Sequence, residues 1–356
     1  MRTIRDAAAL VTEIRAVHDA IRDEVVAACE RQSTEELSAV VGDDAGDTLF
    51  AVDRLSEPVL LARFGELARR WPCLLVAEGL GHDGRRIRPD GATPEIVIIV
   101  DPIDGTRGLM VQKRPAWVLT GVAAYRGGGE TLADIALAVQ TEIPLVKQHL
   151  ADQMWAVAGE GAHAERFDRT TGARRPLALG PSRATTILQG FGGLSRFFPG
   201  ARAELGAIDD EIVERVLGPT RRGRALAFED QYVSSAGQLY ELCAGHDRWV
   251  ADLRPVVEPL LRAKGRELGI CSHPYDLCTE LIAREAGVIV TDPAGRPLAA
   301  PLDVFAEVAF VAFANEAIRA AVEPALRAAL AARGLLPDRG GLPPDRGGLP
   351  PDRGGG

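Results

Sequence analysis

The sequence EIVIIVDPIDGT, at residues 95–106, decides the fold of this chain. Its first half is an apolar run rich in β-branched side chains, which is typical of a strand buried on both faces. Two carboxylates three residues apart, those of Asp101 and Asp104, follow the run directly. Because Pro102 fixes φ and Gly105 permits a tight turn, we expect the backbone to leave the sheet as soon as the apolar run ends.

The spacing of the two aspartates predicts a metal site. A turn here allows the carboxylates of Asp101 and Asp104 to converge with the backbone carbonyl of Ile103. Two carboxylates this close repel each other unless a proton or a cation lies between them. Hard oxygen ligands without a neighbouring His or Cys favour Mg²⁺ over Zn²⁺. An ordinary Asp-Pro and Asp-Gly turn after a strand is the alternative interpretation.

The segment DPIDGT, at residues 101–106, resembles the signature of the inositol monophosphatase superfamily of Mg²⁺-dependent, lithium-sensitive phosphatases. Further segments that resemble family motifs occur in the family order, at residues 46–53, 77–79, 273–278 and 280–287. A lone match to such a signature is weak, whereas an ordered set is strong. Two positions depart from the family pattern. Gly79 stands where the family has a second glutamate, and the lysine usual shortly before Asp53 is missing.

The resemblance implies a set of metal ligands and of catalytic residues. The ligands of two or three Mg²⁺ ions would be Glu78, Asp101, the carbonyl of Ile103, Asp104 and Asp276. The catalytic residues would be Asp53, Thr106 and Glu78, with Thr106 paired to Asp53 so that it orients the attacking water. The substrate-binding residues would be Gly105, Thr106, Arg107 and Asp276, with loop amides receiving a phosphate oxygen.

Each acidic residue outside the DPIDGT segment also has a structural interpretation. Asp53 precedes a helical pattern and could be its N-cap. Asp276 lies at the start of an amphipathic helical pattern, where an acid interacts favourably with the helix dipole. Glu78 could be a solvated residue at the end of a strand. The family order of all these acids favours one shared site over separate structural roles.

The resemblance implies an α/β (α+β layered) fold of alternating helix and sheet layers, an αβαβα sandwich. We predict an N-terminal α+β half at residues 1–165 with most metal ligands, and a C-terminal α/β half at 166–334 with Asp276 and the substrate-binding segments. Residues 335–356 contain two copies of LPPDRGG, too rich in Pro and Gly to form a core, which predicts a disordered tail. Helical spacing of apolar residues predicts helices at residues 4–29, 212–217, 237–244, 257–268 and 275–286.

The implied function is a Mg²⁺-dependent phosphomonoesterase that hydrolyses a small phosphorylated metabolite, of the inositol or sugar phosphate type, by attack of metal-activated water. The helical segment within residues 256–272 lengthens the stretch before Asp276 and leaves no match for an inositol-binding acid. Basic residues could instead meet a second phosphate or an acidic group, namely Arg107, Lys113, Arg114 and the cluster at 221–224. Solvated surface arginines are the alternative interpretation of the cluster. The alternatives are therefore a 3′-phosphonucleotide or sugar-bisphosphate phosphatase, or a non-catalytic relative that binds a phosphorylated ligand. The family is usually homodimeric.

Composition agrees with an enzyme that binds small molecules. The chain has 356 residues, of which 46% are hydrophobic and 26% charged, as in ordinary globular proteins. A net charge of -9 argues against nucleic acid or an anionic membrane as a partner. The five cysteines, without a Cys-x-x-Cys pair, predict buried reduced thiols in a cytoplasmic protein. Residues 1–6 have no apolar signal region, and no apolar stretch is long enough to span a membrane.

Overall fold

A computed structural model describes residues 4–44, 47–77, 85–87, 91 and 93–336. Its helices are α1 (Ala7–Arg31), α2 (Thr34–Leu37), α3 (Glu57–Leu67), α4 (Thr106–Leu109), α5 (Arg202–Leu217), α6 (Ser235–Cys243), α7 (Arg254–Ala263), α8 (Glu280–Glu285) and α9 (Glu316–Ala331). Its strands are β1 (Val40–Asp44), β2 (Asp47–Phe50), β3 (Cys73–Ala77), β4 (Arg85–Ile87), β5 (Ile96–Asp104), β6 (Ala116–Ala124), β7 (Ile135–Ile143), β8 (Leu150–Val157), β9 (Ala162–Asp168), β10 (Arg174–Pro176), β11 (Phe191–Leu194), β12 (Asp247–Asp252), β13 (Ile289–Thr291) and β14 (Phe310–Phe313). Short 3₁₀ turns occur at Asp53–Leu55, Leu132–Asp134 and Tyr275–Leu277.

Two sheets form the framework of the described residues. The larger has the strand order β10-β9-β8-β7-β6-β5-β3-β4, and its neighbours are antiparallel except for the parallel pair β3 and β5. The smaller has the order β11-β12-β14-β13, with β11 and β12 parallel. Strands β1 and β2 form a separate antiparallel ribbon.

Helices and sheets alternate in layers, and each apolar cluster lies between two layers. Buried side chains of α1 and α3, such as Ile14 and Phe64, pack on one face of the larger sheet. Helices α6 and α8 fill the space between the two sheets, where Leu239 and Leu281 are buried. Helices α5, α7 and α9 cover the outer face of the smaller sheet. This order is the αβαβα sandwich that the family resemblance implied, so the predicted fold class is confirmed.

Strand β5 differs from the expectation in one respect that matters for the site. The backbone does not leave the sheet after the apolar run, because β5 continues to Asp104. Its register against β6 shifts between Asp101, which faces Leu119, and Asp104, which faces Trp117. Three residue steps on β5 therefore oppose two on β6, which is a bulge. Pro102 explains the irregularity, since it has no N–H to give to the ladder.

The helical predictions were correct in place but not always in length. The pattern at residues 4–29 corresponds to α1, the pattern at 257–268 falls partly in α7, and the pattern at 212–217 is the end of α5. The pattern at 275–286 is broken, because a 3₁₀ turn is followed by α8, which begins only at Glu280. Apolar periodicity predicted these helices, but it does not show where a tertiary contact interrupts one.

The chain passes from the larger to the smaller sheet between Pro176 and Phe191. The predicted border at residues 165 and 166 falls inside β9, and the division into two halves stays a prediction. Residues 337–356 of the predicted tail lie outside the described residues. No helix of the described residues combines the length and the apolar character that crossing a bilayer requires.

All five cysteines are buried and none forms a disulfide, as the sequence predicted. Burial raises the pKa of Cys73 and of Cys243 to about 12, so both remain protonated thiols at neutral pH. A neutral thiol is a poor nucleophile, and these cysteines act as small apolar side chains in the core.

Candidate active site

Three of the predicted ligands meet at one end of β5. Asp101 and Asp104 lie on the bulged part of the strand, and Asp276 lies in the 3₁₀ turn packed against it. One ligand oxygen from each carboxylate lies within 4.8 Å of the others. Asp101 is only 4% exposed and Asp104 only 5%. Buried carboxylates that converge in this way need a compensating positive charge or a proton.

Asp104 is held by the N-terminus of α6. Its Oδ2 accepts hydrogen bonds from the Ser234 hydroxyl and from the Ala236 backbone amide, each at 2.8 Å. Ser234 is the N-cap of α6, and the same hydroxyl accepts from the amide of Gly237. Burial raises the pKa of Asp104 to about 6, and the hydrogen bonds from α6 act in the opposite direction. A cation facing this carboxylate would favour its ionised form further.

Hydrogen bonds within residues 101–106 stabilise the backbone conformation of the DPIDGT turn. The Ile103 amide donates to Asp101 Oδ1 at 2.9 Å, and the Ile103 carbonyl oxygen lies 2.9 Å from the Thr106 hydroxyl. A carbonyl has two lone pairs, so this contact leaves Ile103 able to coordinate a cation. Gly105 has φ of 99°, and a Cβ there would lie 3.2 Å from the Cβ of Ser234. Glycine is therefore required at this position by both backbone conformation and the closeness of α6.

Thr106 and Asp53 form the predicted pair. The Thr106 hydroxyl lies 2.7 Å from Asp53 Oδ1, and Asp53 Oδ2 accepts from the backbone amide of Phe50 at 2.8 Å. The carboxylate of Asp53 thus accepts one hydrogen bond from Phe50, three residues earlier, and one from Thr106, in a distant segment of the chain. It does not cap α3, whose N-cap residue is Ser56. The geometry favours the site interpretation of Asp53 over the N-cap interpretation.

Asp276 is fixed by the segment that precedes it. The backbone amide of His273 donates to Asp276 Oδ2 at 2.5 Å. Tyr275 stacks on the His273 ring with centroids 5.2 Å apart. Because α8 begins only at Glu280, Asp276 is not in the first turn of that helix. The helix-dipole interpretation of Asp276 is therefore not supported.

A cleft of about 560 Å³, including its open mouth, begins at the three carboxylates. Arg107 lines the cleft, with its guanidinium 5.1 Å from the Phe198 ring and 5.7 Å from the Phe50 ring. Arg114 does not line it, because this residue pairs with Asp230. Lys113 and the basic cluster at residues 221–224 also lie outside the cleft lining. Arg107 is the one basic candidate of the sequence that the structure places at this site.

Several residues of the site were not predicted to take part in it. They are Phe197, Phe198, Ser234, Ser235, Arg254 and Ser272. A serine pair directly before a helical pattern is a recognisable N-cap signal, and it could have identified Ser234. No sequence pattern marks the other side chains, because only the folding of distant segments brings them to the cleft. Glu78, predicted as ligand and catalytic residue, and Gly79 lie outside the described residues.

The α+β sandwich of the described residues is an architecture that solved structures share. Fructose-1,6-bisphosphatase of Leishmania major is similar over 90% of this chain and 93% of its own, with a TM-score of 0.64 and 13% identity. The extragenic suppressor protein SuhB of Bartonella henselae (TM-score 0.58, 17% identity) and an inositol monophosphatase of Thermotoga maritima (0.55, 19%) each match 90% of this chain and 98% of their own.

The chain therefore shares its fold with these solved proteins, and this is the fold that the ordered motifs implied. No protein-family profile matches the chain, and no curated protein is similar to it in sequence. At sequence identities of 13–19%, these structural similarities establish the architecture alone. The chemistry of this chain has to be argued from its own residues.

Proposed function

We propose that this chain is a Mg²⁺-dependent phosphomonoesterase that hydrolyses a small phosphorylated metabolite, of the inositol or sugar phosphate type. One observation carries the proposal. One carboxylate oxygen from each of Asp101, Asp104 and Asp276 lies within 4.8 Å of the others, at the end of a cleft that also contains Thr106. Such a set supplies negative charge where a cation and a phosphoryl group have to be held together.

The donor set fits Mg²⁺. All the side-chain ligands are carboxylates, with the carbonyl of Ile103 as a further oxygen, and hard oxygen donors suit this ion. In the proposed assignment Asp101, Asp104 and Asp276 would hold one ion. Asp101 would also help to hold another, together with the Ile103 carbonyl and Glu78, which lies outside the described residues. The number of ions proposed is two or three.

The chain's own residues position the reacting groups. Bound Mg²⁺ supplies Lewis-acid activation of water and neutralises charge on the phosphoryl oxygens. The Thr106 hydroxyl has one hydrogen, and its shorter contact is to Asp53. Its oxygen can then accept a hydrogen bond from the attacking water and orient it. Arg107 and the amides of Gly105 and Thr106 would hold the phosphoryl oxygens.

A bisphosphorylated sugar or a 3′-phosphonucleotide is the second candidate substrate class. It is favoured by the position of Arg107, which lines the cleft beside the DPIDGT turn rather than the outer surface. A guanidinium there could contact a second anionic group as well as the scissile one. The non-catalytic alternative keeps the same cleft but requires ligand binding without hydrolysis.

We further propose that the protein is cytoplasmic and forms a homodimer, and that neither nucleic acid nor a membrane is its partner.

The deciding experiment measures phosphate release from a panel of phosphomonoesters, with Mg²⁺ or with EDTA. The panel contains inositol phosphates, sugar mono- and bisphosphates, histidinol phosphate and nucleotide 3′-phosphates. We expect Mg²⁺-dependent release that is lost in Asp104→Asn and retained in Asp168→Asn, a change at the end of β9 and outside the cleft lining. Metal-independent binding of an ester without any phosphate release would refute the proposed phosphatase activity and support the non-catalytic alternative. Light scattering of the same samples tests the homodimer.

A further inference from the structure

A buried ion pair lies directly behind the cleft. Asp252, at the end of β12, is completely buried, and Arg254, at the start of α7, is 4% exposed. Arg254 Nε lies 2.9 and 3.0 Å from the two carboxylate oxygens of Asp252, and its Nη2 also contacts this carboxylate. The rings of Phe197 and Phe198 cover the guanidinium, with centroids 4.6 and 5.3 Å away. The pair is neutral as a unit, so it is not a free cation for the substrate.

The ion pair holds the segment that leads to Asp276. Arg254 Nη1 donates to the carbonyl of Ile270 at 2.7 Å, and Nη2 donates to the Ser272 hydroxyl oxygen at 3.2 Å. The Ser272 hydroxyl in turn lies 2.9 Å from Asp252 Oδ2. The next residue, His273, donates its amide to the carboxylate of Asp276. The position of one predicted metal ligand is thus connected to the ion pair through two residues.

The same network reaches the second ligand. The hydroxyls of Ser272 and Ser235 are hydrogen-bonded at 2.8 Å, and Ser235 is the first residue of α6. Its neighbours Ser234 and Ala236 both donate to Asp104 Oδ2. A single hydrogen bond between two serines therefore connects the supports of Asp104 and Asp276.

A second bridge closes the arrangement on the other side. The Gln140 side chain of β7 donates to the carbonyl of Ala236 at 3.0 Å and accepts from the Thr279 hydroxyl at 2.9 Å. Gln140 is itself 2% exposed. The Ser235–Ser272 hydrogen bond and the Gln140 bridge therefore both connect the start of α6 to the segment around Asp276. Together they keep these two segments at a fixed distance from each other.

We propose that Asp252 and Arg254 are positioning residues, which act through Ser272 and Ser235 to set the separation of the Asp104 and Asp276 carboxylates. The two carboxylates repel each other, and a rigid link keeps them at the distance a shared cation requires. This assigns a role to part of the lengthened stretch at residues 256–272, which carries Ile270 and Ser272. The inference depends on the proposed function only in requiring that these carboxylates bind a divalent cation.

The test measures cation binding directly, with Mn²⁺ as a spectroscopic probe for the Mg²⁺ site. Electron paramagnetic resonance of free Mn²⁺ gives the dissociation constant without any substrate or turnover. The relevant site is the one that disappears in Asp104→Asn. We expect Ser272→Ala, Ser235→Ala and the paired change Asp252→Leu with Arg254→Met to raise its dissociation constant about tenfold, the lower end of the effect of outer-shell changes on metal affinity.

The paired apolar change avoids leaving one buried charge without a partner, which would destabilise the fold for an unrelated reason. Its matched control is Asp152→Leu with Arg166→Met. That pair is also a two-bond Arg–Asp contact, at 2.6 and 2.7 Å, on a carboxylate that is 2% exposed, but neither residue lines the cleft. We expect the control to change the melting temperature and to leave the Mn²⁺ dissociation constant within twofold.

The two serine variants decide the question if the paired variant does not fold. Because both remove one end of the same hydrogen bond, Ser235→Ala combined with Ser272→Ala should bind Mn²⁺ no more weakly than the worse single variant. Folded variants that bind Mn²⁺ as the unaltered chain does would overturn the positioning role and leave the proposed function standing. An unaltered chain that binds no Mn²⁺ would overturn both.

Discussion

Gly121 of β6 lies directly against the backbone carbonyl of Cys278, and a Cβ on this glycine would be 2.5 Å from that oxygen. The contact presses the turn of Asp276 onto the strand that pairs with β5. Only a glycine leaves room for it, because real Cβ atoms do not approach a carbonyl oxygen so closely. The approach of Asp276 to Asp101 and Asp104 thus depends on a missing side chain in the sheet.

We therefore expect Gly121→Ala to weaken Mg²⁺-dependent phosphate release and Mn²⁺ binding together. The added methyl group must displace the Asp276 turn, and overpacking of this kind costs about 1–3 kcal/mol of folding stability. Urea unfolding and Mn²⁺ titration measure both effects. Gly65→Ala in α3 is the control, since nothing lies within 4 Å of its Cβ, and it should be neutral or stabilising. Unchanged Mn²⁺ binding in Gly121→Ala would contradict the argument.

Removal of the Thr106 hydroxyl tests the proposed orientation of water. Thr106→Ala loses the contact to Asp53, so we expect kcat to fall about a hundredfold, the lower range for a group that directs proton transfer. Thr106→Ser keeps the hydroxyl and should retain most of the activity. The measurement is steady-state hydrolysis of the best ester at saturating Mg²⁺. Equal activity of the alanine and serine variants would show that the hydroxyl has no role.

Arg107→Met tests whether the cleft guanidinium binds the substrate. Loss of a hydrogen bond to a charged group costs about 1.5–3 kcal/mol, so kcat/KM should fall about tenfold to a hundredfold. A larger loss for bisphosphorylated than for monophosphorylated esters would favour the second substrate class. Arg224→Met, at an exposed position outside the cleft lining, should leave kcat/KM unchanged. The same kcat/KM in both variants would remove Arg107 from the substrate-binding residues.

His18 predicts a pH dependence of folding stability that is independent of the active site. This residue of α1 is completely buried, with its ring nitrogens 3.0 Å from Thr141 and 2.7 Å from Thr120. Burial, with a smaller contribution from Arg22, lowers the pKa of His18 to about 3. Since the unfolded chain binds this proton near pH 6.5, acid favours unfolding, and stability should be lost as pH falls from 6.5 towards 3.

Between pH 7 and pH 5 this one group should cost about 2 kcal/mol of unfolding free energy. Urea titrations of the unaltered chain and of His18→Gln at both pH values isolate the effect from other titrating groups. The stability advantage of histidine over glutamine should shrink by that amount at pH 5. His163→Gln, at an exposed position, serves as the control. A constant difference between the unaltered chain and His18→Gln would show that the buried imidazole does not titrate in this way.

Much of the site could be read from local sequence. The apolar run before Asp101 predicted a buried strand, and the spacing of Asp101 and Asp104 predicted two carboxylates at its end. The structure has both features. Asp53 and Thr106 were paired from the family resemblance, and their side chains are 2.7 Å apart. The bulge of β5 was missed, because local turn residues predict a change of direction but not whether a neighbouring strand continues to pair.

The sequence by itself determined which residues carry negative charge, the buried strand before Asp101 and the place of several helices, because these depend on local composition and apolar spacing. Only the tertiary structure decided how those charges meet. The link from Arg254 through Ser272 and Ser235 joins segments far apart in the chain, and the Gly121 contact depends on the packing of a strand against a turn. Local patterns report the conformation of a few neighbouring residues, whereas these contacts arise when distant surfaces pack together.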